Sequence, residues 1–404
     1  MRKLKLILAL CWALGLCRPY GGLSAWAQAG LRAEPFPAPD YTFGKVITFR
    51  VSASSDAGIR QATLFYQVKP AAGVASAQAV FAPGQVITGI VTLDLEQTPL
   101  TPFAQVEYWW QVTDQAQAQV TTQPQTFNYV DNRFAWQTLS QGPVTVHWYD
   151  DDGSAAFGQG ALSAAITGLT QASLTVQTPE PEGVDIYIYA DTSDAQEALL
   201  LSGYLWSEGR TDPALNLAIV AIAPGVDANR ELGRDLPHEM MHLVLAQRLG
   251  AGYARLPNWL NEGLAVMNQA QADPELAAAL TRARDSGTLF ALANLCGPFP
   301  ADPAQAQLAY AQSESVVRYI RRHYPAASLA KLLDAYAQGA TCEAGVAQGL
   351  NVSQADLEKA WRADLAPATS ASPLWPWAIL SAVVLLGGAL LTLLILGGLK
   401  AHRP

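Results

Sequence analysis

The sequence predicts a multidomain chain: an all-β sandwich first, a mixed α+β domain second, and a single membrane-spanning helix at the C-terminal end. Three observations carry this. Between Tyr41 and Val130 the apolar residues recur with period two, after Asn132 strand-like and helix-like runs alternate, and Trp375 to Leu399 holds no charged residue. With 404 residues, half of them hydrophobic, there is chain enough for two or three domains with cores of their own, and global disorder is excluded.

Residues 1–29 read as an export signal. Met1-Arg2-Lys3-Leu4-Lys5 opens the chain, an apolar run follows from Leu6 to Cys17, and small residues recur at Ala25-Trp26-Ala27 and Ala27-Gln28-Ala29. A basic start, a short apolar stretch and an A-x-A exit make a cleavable secretory signal. A run of about a dozen residues is too short to span a bilayer.

Residues 35–131 carry the β pattern. Ile47, Phe49, Val51 and Ala53 alternate with Thr48, Arg50 and Ser52; Leu64, Tyr66 and Val68 alternate in the next run. Ile87, Val91, Leu93 and Leu95 share one side of a third run, Val106, Tyr108, Trp110 and Val112 form the strongest strand, and Phe127 and Tyr129 close the series. Turn residues at Ser54-Ser55-Asp56 and Pro83-Gly84 separate them. The pattern resembles an immunoglobulin- or fibronectin-type module. Of the adjacent Trp109 and Trp110, one is expected in the core and one half-exposed. No chemical cluster occurs here, which fits a spacer or docking role.

Residues 132–366 are mixed. Strands are expected at Val144–Trp148, Val184–Tyr189 and Leu217–Ala223. Helices are expected at Ala155–Leu169, Asp194–Leu201, Asp235–Leu249, Trp259–Gln269, Ala304–Tyr324, Ser328–Ala337 and Gln354–Ala366, the last opened by Ser353 with Asp356 three residues on.

The chemistry concentrates in two of those helices. His238-Glu239-Met240-Met241-His242 places two imidazoles four residues apart, hence on one face and able to share one ion. Glu239 sits on the adjoining side, within reach of a water that such an ion would activate, and Met240 and Met241 suit the core side. Seventeen residues after His242 comes Trp259-Leu260-Asn261-Glu262-Gly263-Leu264-Ala265. A catalytic zinc takes three protein ligands and keeps one position open, and Glu262 supplies a third ligand of the right type.

This pair of motifs resembles the gluzincin, or zincin-like, metallopeptidases, whose familiar members include thermolysin and aminopeptidase N. More closely it is similar to the peptidase MA-like family of exported proteins, with Pro237-His238-Glu239-Met240-Met241-His242 followed by Trp259 to Ala265. The resemblance covers roughly Ala135 to Leu365. It implies zinc as cofactor, His238, His242 and Glu262 as its ligands, and Glu239 as general base. It also implies that the strand Leu217–Ala223 is the sheet edge along which an extended peptide adds. Thermolysin has an Asp four residues beyond its ligand Glu; here that position is Val266, so Asn261 or a backbone carbonyl is expected to orient a ligand histidine. The exopeptidase G-x-M-E-N signature is absent, which argues for an endopeptidase. Ala309-Tyr310-Ala311-Gln312-Ser313 resembles the element that brings an oxyanion-stabilising Tyr, making Tyr310 a candidate catalytic residue, with a packing Tyr on an amphipathic helix as the alternative.

Other polar residues have plainer readings. His147 sits on a strand between Val146 and Trp148, His323 ends a helix before Pro325, and Asp150-Asp151-Asp152-Gly153 lacks the later Glu of a calcium loop. Of four cysteines, Cys11 and Cys17 leave with the signal. Cys296 and Cys342 remain as an even pair in an oxidising compartment, and a disulfide between them is expected rather than two separate thiols, since both lie in Gly/Pro-bounded segments.

The C-terminal end completes the topology. Residues 367–374 form a linker rich in Pro, Ala and Ser, 375–399 a stretch of about 37 Å as a helix, and 400–404 a tail with Lys400, His402 and Arg403. Trp375 and Trp377 stand where amphipathic rings favour the interface, and the basic tail fits the cytoplasmic side. A single-pass protein of the cell membrane is expected, its body outside the cytoplasm and its C-terminal helix in the lipid bilayer. Setting aside the six basic residues at the two ends leaves 19 basic against 34 acidic residues, a body of charge −15. Such a body disfavours nucleic acid as a partner, and none is expected, since phosphate binding needs clustered Lys and Arg. A peptide or protein substrate is expected; nothing in the pattern sets an oligomeric state. The alternative class is a non-catalytic surface binding or adhesion protein on a zincin scaffold, against which the retained Glu239 counts, because a scaffold has no use for a base.

Overall fold

The computed structural model describes residues 30–71, 73–149, 155–200, 209–365 and Leu385. The expected signal (1–29), linker (367–374) and tail (400–404) lie outside them, as do Asp150 to Gly153 and the apolar stretch 375–399 apart from Leu385. Among the described residues no helix is long and apolar enough to cross a membrane. They form two compact units, one ending at Arg133 and one beginning at Phe134.

The first unit is all β, with β1 (Arg32–Pro35), β2 (Asp40–Thr42), β3 (Val46–Ser54), β4 (Ile59–Val68), β5 (Ala75–Gln78), β6 (Val86–Asp94), β7 (Gln105–Asp114), β8 (Gln119–Thr121) and β9 (Gln125–Asn128). They make two antiparallel sheets: β1, β2 and β6 pair with β3, while β5-β4-β7-β8 form the other, with β9 also on β7. The alternation expected from sequence sets which side chains turn inward. Ile47, Phe49, Val51 and Ala53 of β3 and Val106, Tyr108, Trp110 and Val112 of β7 are all buried. The sheets meet through aromatic contacts, Phe49 lying 5.1 Å from Tyr108 edge-on and 6.3 Å from Tyr66. Trp110 is fully buried while Trp109 is half-buried and stacks on Phe65.

The second unit opens with β10 (Gln137–Gln141), β11 (Val144–Trp148), α1 (Ala155–Val176), β12 (Val184–Tyr189), α2 (Thr192–Leu200), β13 (Gly209–Asp212), β14 (Leu217–Ala221) and α3 (Ala228–Leu249). The sheet order is β10-β11-β12-β14-β13, the three central strands parallel and the outer two antiparallel to their neighbours. One face is closed by α1 and α3, whose Ala161, Leu162, Ala165 and Leu236, Met240, Leu243 share a core with Val146, Ile188 and Val220. The two helices touch at one point in particular. A Cβ on Gly168 of α1 would lie 2.4 Å from the Pro237 Cα of α3, so only glycine permits this approach just before His238.

One expectation is corrected here. The strand Leu217–Ala221 is not the sheet edge, because Gly209–Asp212 folds back on it through the turn at Pro213 to Asn216 and covers its outer side. The sequence Gly-Arg-Thr-Asp is short, polar and without alternation, so nothing marks it as a strand until its partner is in place.

The remainder is helical: α4 (Asn258–Asn268), α5 (Pro274–Ser286), α6 (Pro303–His323), α7 (Ala327–Ala337), α8 (Cys342–Leu350) and α9 (Gln354–Leu365). As the sequence anticipates, Ser353 caps α9, accepting from the Asp356 N–H at 3.0 Å and donating to its carboxylate at 2.6 Å. Helices α5 and α8 have no clear mark in the sequence. The first buries only Ala279 and Ala283, so it lacks an apolar stripe, and the second is short and holds two glycines.

Cys296 and Cys342 form a disulfide with Cα atoms 6.0 Å apart, and Cys342 opens α8 rather than lying in a loop. The carbonyl of Cys296 accepts from the Asn258 N–H at 3.1 Å, at the start of α4. The bridge closes a separation of 46 residues, for which chain entropy assigns about 4 kcal/mol. Reduction, or Cys342→Ser, is expected to lower the thermal midpoint of this unit by about 10 °C, measured by differential scanning calorimetry. A midpoint unchanged by reduction would remove the bridge from the list of stabilising contacts.

Candidate metal centre

Helix α3 delivers His238 and His242 from one face and α4 brings Glu262 opposite them. Their atoms converge: His238 Nε2 lies 3.1 Å from His242 Nε2 and 3.4 Å from Glu262 Oε2, and His242 Nε2 lies 3.6 Å from the same oxygen. Ligands about 2.0–2.2 Å from a tetrahedral ion stand about 3.3–3.5 Å apart. The three observed separations bracket that spacing, and all three side chains are largely buried. Among the described residues this is a group able to hold a metal ion, and its donor set of two imidazoles and one carboxylate suits zinc.

Helix packing explains why Glu262 arrives there. Gly263 lets α4 sit directly on α6, since a Cβ at that position would lie 2.5 Å from the Ser313 carbonyl oxygen. Trp259, Leu260 and Leu264, all fully buried, fasten α4 into the core.

The surrounding polar groups hold these side chains in orientation. Asn261 Oδ1 lies 3.1 Å from His242 Nδ1 and its Nδ2 donates to Glu262 Oε1 at 3.2 Å, so one amide aligns two of the three converging side chains. Tyr253 stands beside the same amide, and its pKa is raised by burial first and then by the charges of Glu262 and Glu239. Gln269 Nε2 lies 3.3 Å from His238 Nδ1. Glu239 is buried and accepts a 2.9 Å hydrogen bond from the Thr211 hydroxyl on β13.

The electrostatics of the group are mutual. Burial pushes the His238 pKa down, yet the Glu262 hydrogen bond and the charges of Glu239, Glu262 and Asp235 outweigh it and hold the imidazole above its ordinary 6.5. Burial pushes Glu262 up, but the His242 and His238 charges, with hydrogen bonds from His238 and Asn261, hold it below its ordinary 4.5. Both shifts favour the charged forms, so an ion binding at His238 competes with a proton there.

These residues line a cavity of about 950 Å³ that also reaches Arg210, Thr211, Tyr253, Val266, Leu276 and Tyr310. Tyr310, on α6, has its ring 6.4 Å from that of His238 and edge-on to Phe299 at 5.2 Å. His147 is not in the cavity; it stacks on Tyr187 and contacts Asp185 and Thr138. His323 pairs with Asp364. Sequence reasoning missed Thr211, Tyr253 and Gln269. Each reaches the site only through tertiary packing, and the one local sign is that Tyr253 lies in the Gly-rich turn between the two motifs.

The family model of the peptidase MA superfamily matches residues 148–367. No curated protein matches the chain. Among solved structures, an aminopeptidase N family protein from Idiomarina loihiensis aligns with 81% of this chain and 75% of its own at 9% identity, with a TM-score of 0.38. The inactive form of OgpA from Akkermansia muciniphila, solved with an O-glycopeptide substrate, aligns with 25% of this chain at 12% identity and a TM-score of 0.20. The chain covers 29% of that protein's length.

Proposed function

This chain belongs to the peptidase MA superfamily, and from that membership we propose that it is a membrane-anchored, extracytoplasmic zinc metallopeptidase of the gluzincin type, acting as an endopeptidase. The observation that supports it most is the convergence of His238, His242 and Glu262 at 3.1–3.6 Å, with Glu239 next to His238 on the same helix. His238, His242 and Glu262 would hold the ion. When bound, zinc supplies a Lewis acid that polarises the scissile carbonyl and makes water more acidic.

The chain's own residues do the rest. Glu239, steadied by the Thr211 hydroxyl, takes the water proton on its free carboxylate oxygen and passes it to the leaving nitrogen. Tyr310 donates a hydrogen bond to the carbonyl oxygen as negative charge builds there. The main chain of β13, the terminal strand of its sheet among the described residues, pairs with an extended peptide, and Thr211 on that strand brings the peptide beside Glu239. The first unit is an immunoglobulin-like spacer, and an export signal with a C-terminal membrane-spanning helix would put the body outside the cytoplasm.

The test is metal analysis of the purified chain together with cleavage of a peptide library. Stoichiometric zinc is expected, with cleavage abolished by a chelator and restored by zinc. Because an ion competes with a proton at His238, zinc affinity is expected to tighten as pH rises through the range above 6.5. A chain that takes up no zinc, or that cleaves equally well without it, would sink the proposal.

A further inference from the structure

Gln269, on the segment that leaves α4, faces His238 Nδ1, and the backbone shows how that segment is held. Pro237 inside α3 has no N–H, so the carbonyl four residues earlier, Gly233, loses its helical partner. The Ala270 N–H takes that carbonyl at 2.9 Å. Asn268, one residue before Gln269, donates from its side chain to the Pro237 carbonyl at 2.7 Å and to the Gly168 carbonyl at 3.0 Å. Gln269 is therefore clamped on both sides of its own backbone, by contacts that end on the residue preceding His238 and on the carbonyl that Pro237 releases.

The side chain so placed sets Nε2 against His238 Nδ1 at 3.3 Å and leaves its own Oε1 buried without a hydrogen-bond partner. The two amide positions are interchangeable by a half-turn about the last side-chain torsion. With Nε2 facing Nδ1, the amide donates, Nδ1 carries the lone pair, and the ring proton sits on Nε2, between Glu262 and His242, where an ion would bind. With Oε1 facing Nδ1, the amide accepts from Nδ1–H and the Nε2 lone pair is released toward Glu262 and His242. The half-turn gives the buried Oε1 a donor and moves Nε2 into the position that the oxygen leaves. It also reproduces at His238 what Asn261 Oδ1 does at His242 Nδ1.

We propose that Gln269 is the positioning residue of His238: in the zinc-loaded protein its Oε1 accepts from His238 Nδ1–H and selects the tautomer whose Nε2 binds the ion. Both ligand histidines are then oriented by carboxamides, Asn261 and Gln269, and Pro237 acts in the site by freeing the Gly233 carbonyl that fixes the α4 exit. This rests on the zinc reading given above.

The experiment is zinc affinity of the 404-residue chain by competition with a chromophoric chelator, for wild type, Gln269→Leu and Gln269→Glu, with far-UV circular dichroism of the zinc-free forms. Removing such a partner weakens metal binding about 10- to 100-fold, and that loss is expected for Gln269→Leu. Gln269→Glu, which can only accept from Nδ1–H when ionised, is expected to bind zinc at least as tightly as wild type, and so to separate orientation from mere packing. Should the leucine variant fail to fold, the glutamate variant decides alone, since weaker zinc binding there would mean that Nε2 is the group His238 needs. A folded leucine variant with wild-type affinity overturns the inference and leaves the zinc reading standing. A wild-type chain that binds no zinc overturns both.

Discussion

Glu239→Gln is expected to leave zinc binding at the wild-type level while lowering peptide-bond cleavage by about 10²- to 10⁴-fold, the usual contribution of a positioned general base. The two effects separate because Glu239 is not among the three converging ligands, so its replacement by an isosteric amide leaves the His238, His242 and Glu262 spacings in place. Thr211 donates to Glu239 Oε2 at 2.9 Å and is able to donate to an amide oxygen in the same position, so the variant side chain keeps its buried setting. What it loses is basicity alone. The measurement is metal content by mass spectrometry alongside kcat/KM on a cleaved peptide. Full zinc with undiminished kcat/KM would remove Glu239 from the reaction. Loss of both zinc and activity would show that its role is to maintain the site.

Gly263→Ala is expected to lower both the thermal midpoint and the zinc affinity. Helix propensity by itself favours alanine over glycine by about 1 kcal/mol. Packing opposes it: the new Cβ would lie 2.5 Å from the Ser313 carbonyl oxygen and 2.7 Å from Val317 Cγ2, and the first of these is backbone that cannot rotate away. Overpacking of this kind costs about 1–3 kcal/mol, enough to outweigh propensity. Relief comes by moving α4 off α6, and α4 carries Glu262 and Asn261, so the same displacement opens the 3.4 and 3.6 Å separations to the histidines. Scanning calorimetry of the zinc-free protein and a zinc titration read the two consequences. A raised midpoint would mean that propensity wins and that the α4–α6 contact is more yielding than its geometry implies.

The candidate site was legible in unequal parts, and the reason is distance along the chain. His238, Glu239 and His242 lie within one and a half helical turns, and Glu262 follows on the next helix, so a local period and a short spacing place them together. Asn261 adjoins Glu262 in sequence and could be nominated for the same reason. Gln269, Thr211 and Tyr253 are not legible in that way. Gln269 meets His238 across 31 residues and Thr211 meets Glu239 across 28, contacts that exist only after α4 and β13 have docked. The N-terminal strands were readable because period-two burial is a property of each strand alone, whereas β13, four polar residues, is a strand only because Leu217–Ala221 offers it an edge.

Sequence by itself determined the candidate donor set: two imidazoles and a carboxylate at metal-binding spacing with a second carboxylate beside them, in a chain whose central body is acidic. Tertiary structure decided how that set is served. It moved the sheet edge from Leu217–Ala221 to Gly209–Asp212, joined Cys296 to Cys342 beside the start of α4, and brought Gln269 to His238 through a carbonyl that Pro237 leaves without its helical partner. The division has a physical cause. Ligand type and helical spacing are carried by covalent geometry, while hydrogen-bond partners are set by which buried polar groups lack one once the backbone has packed.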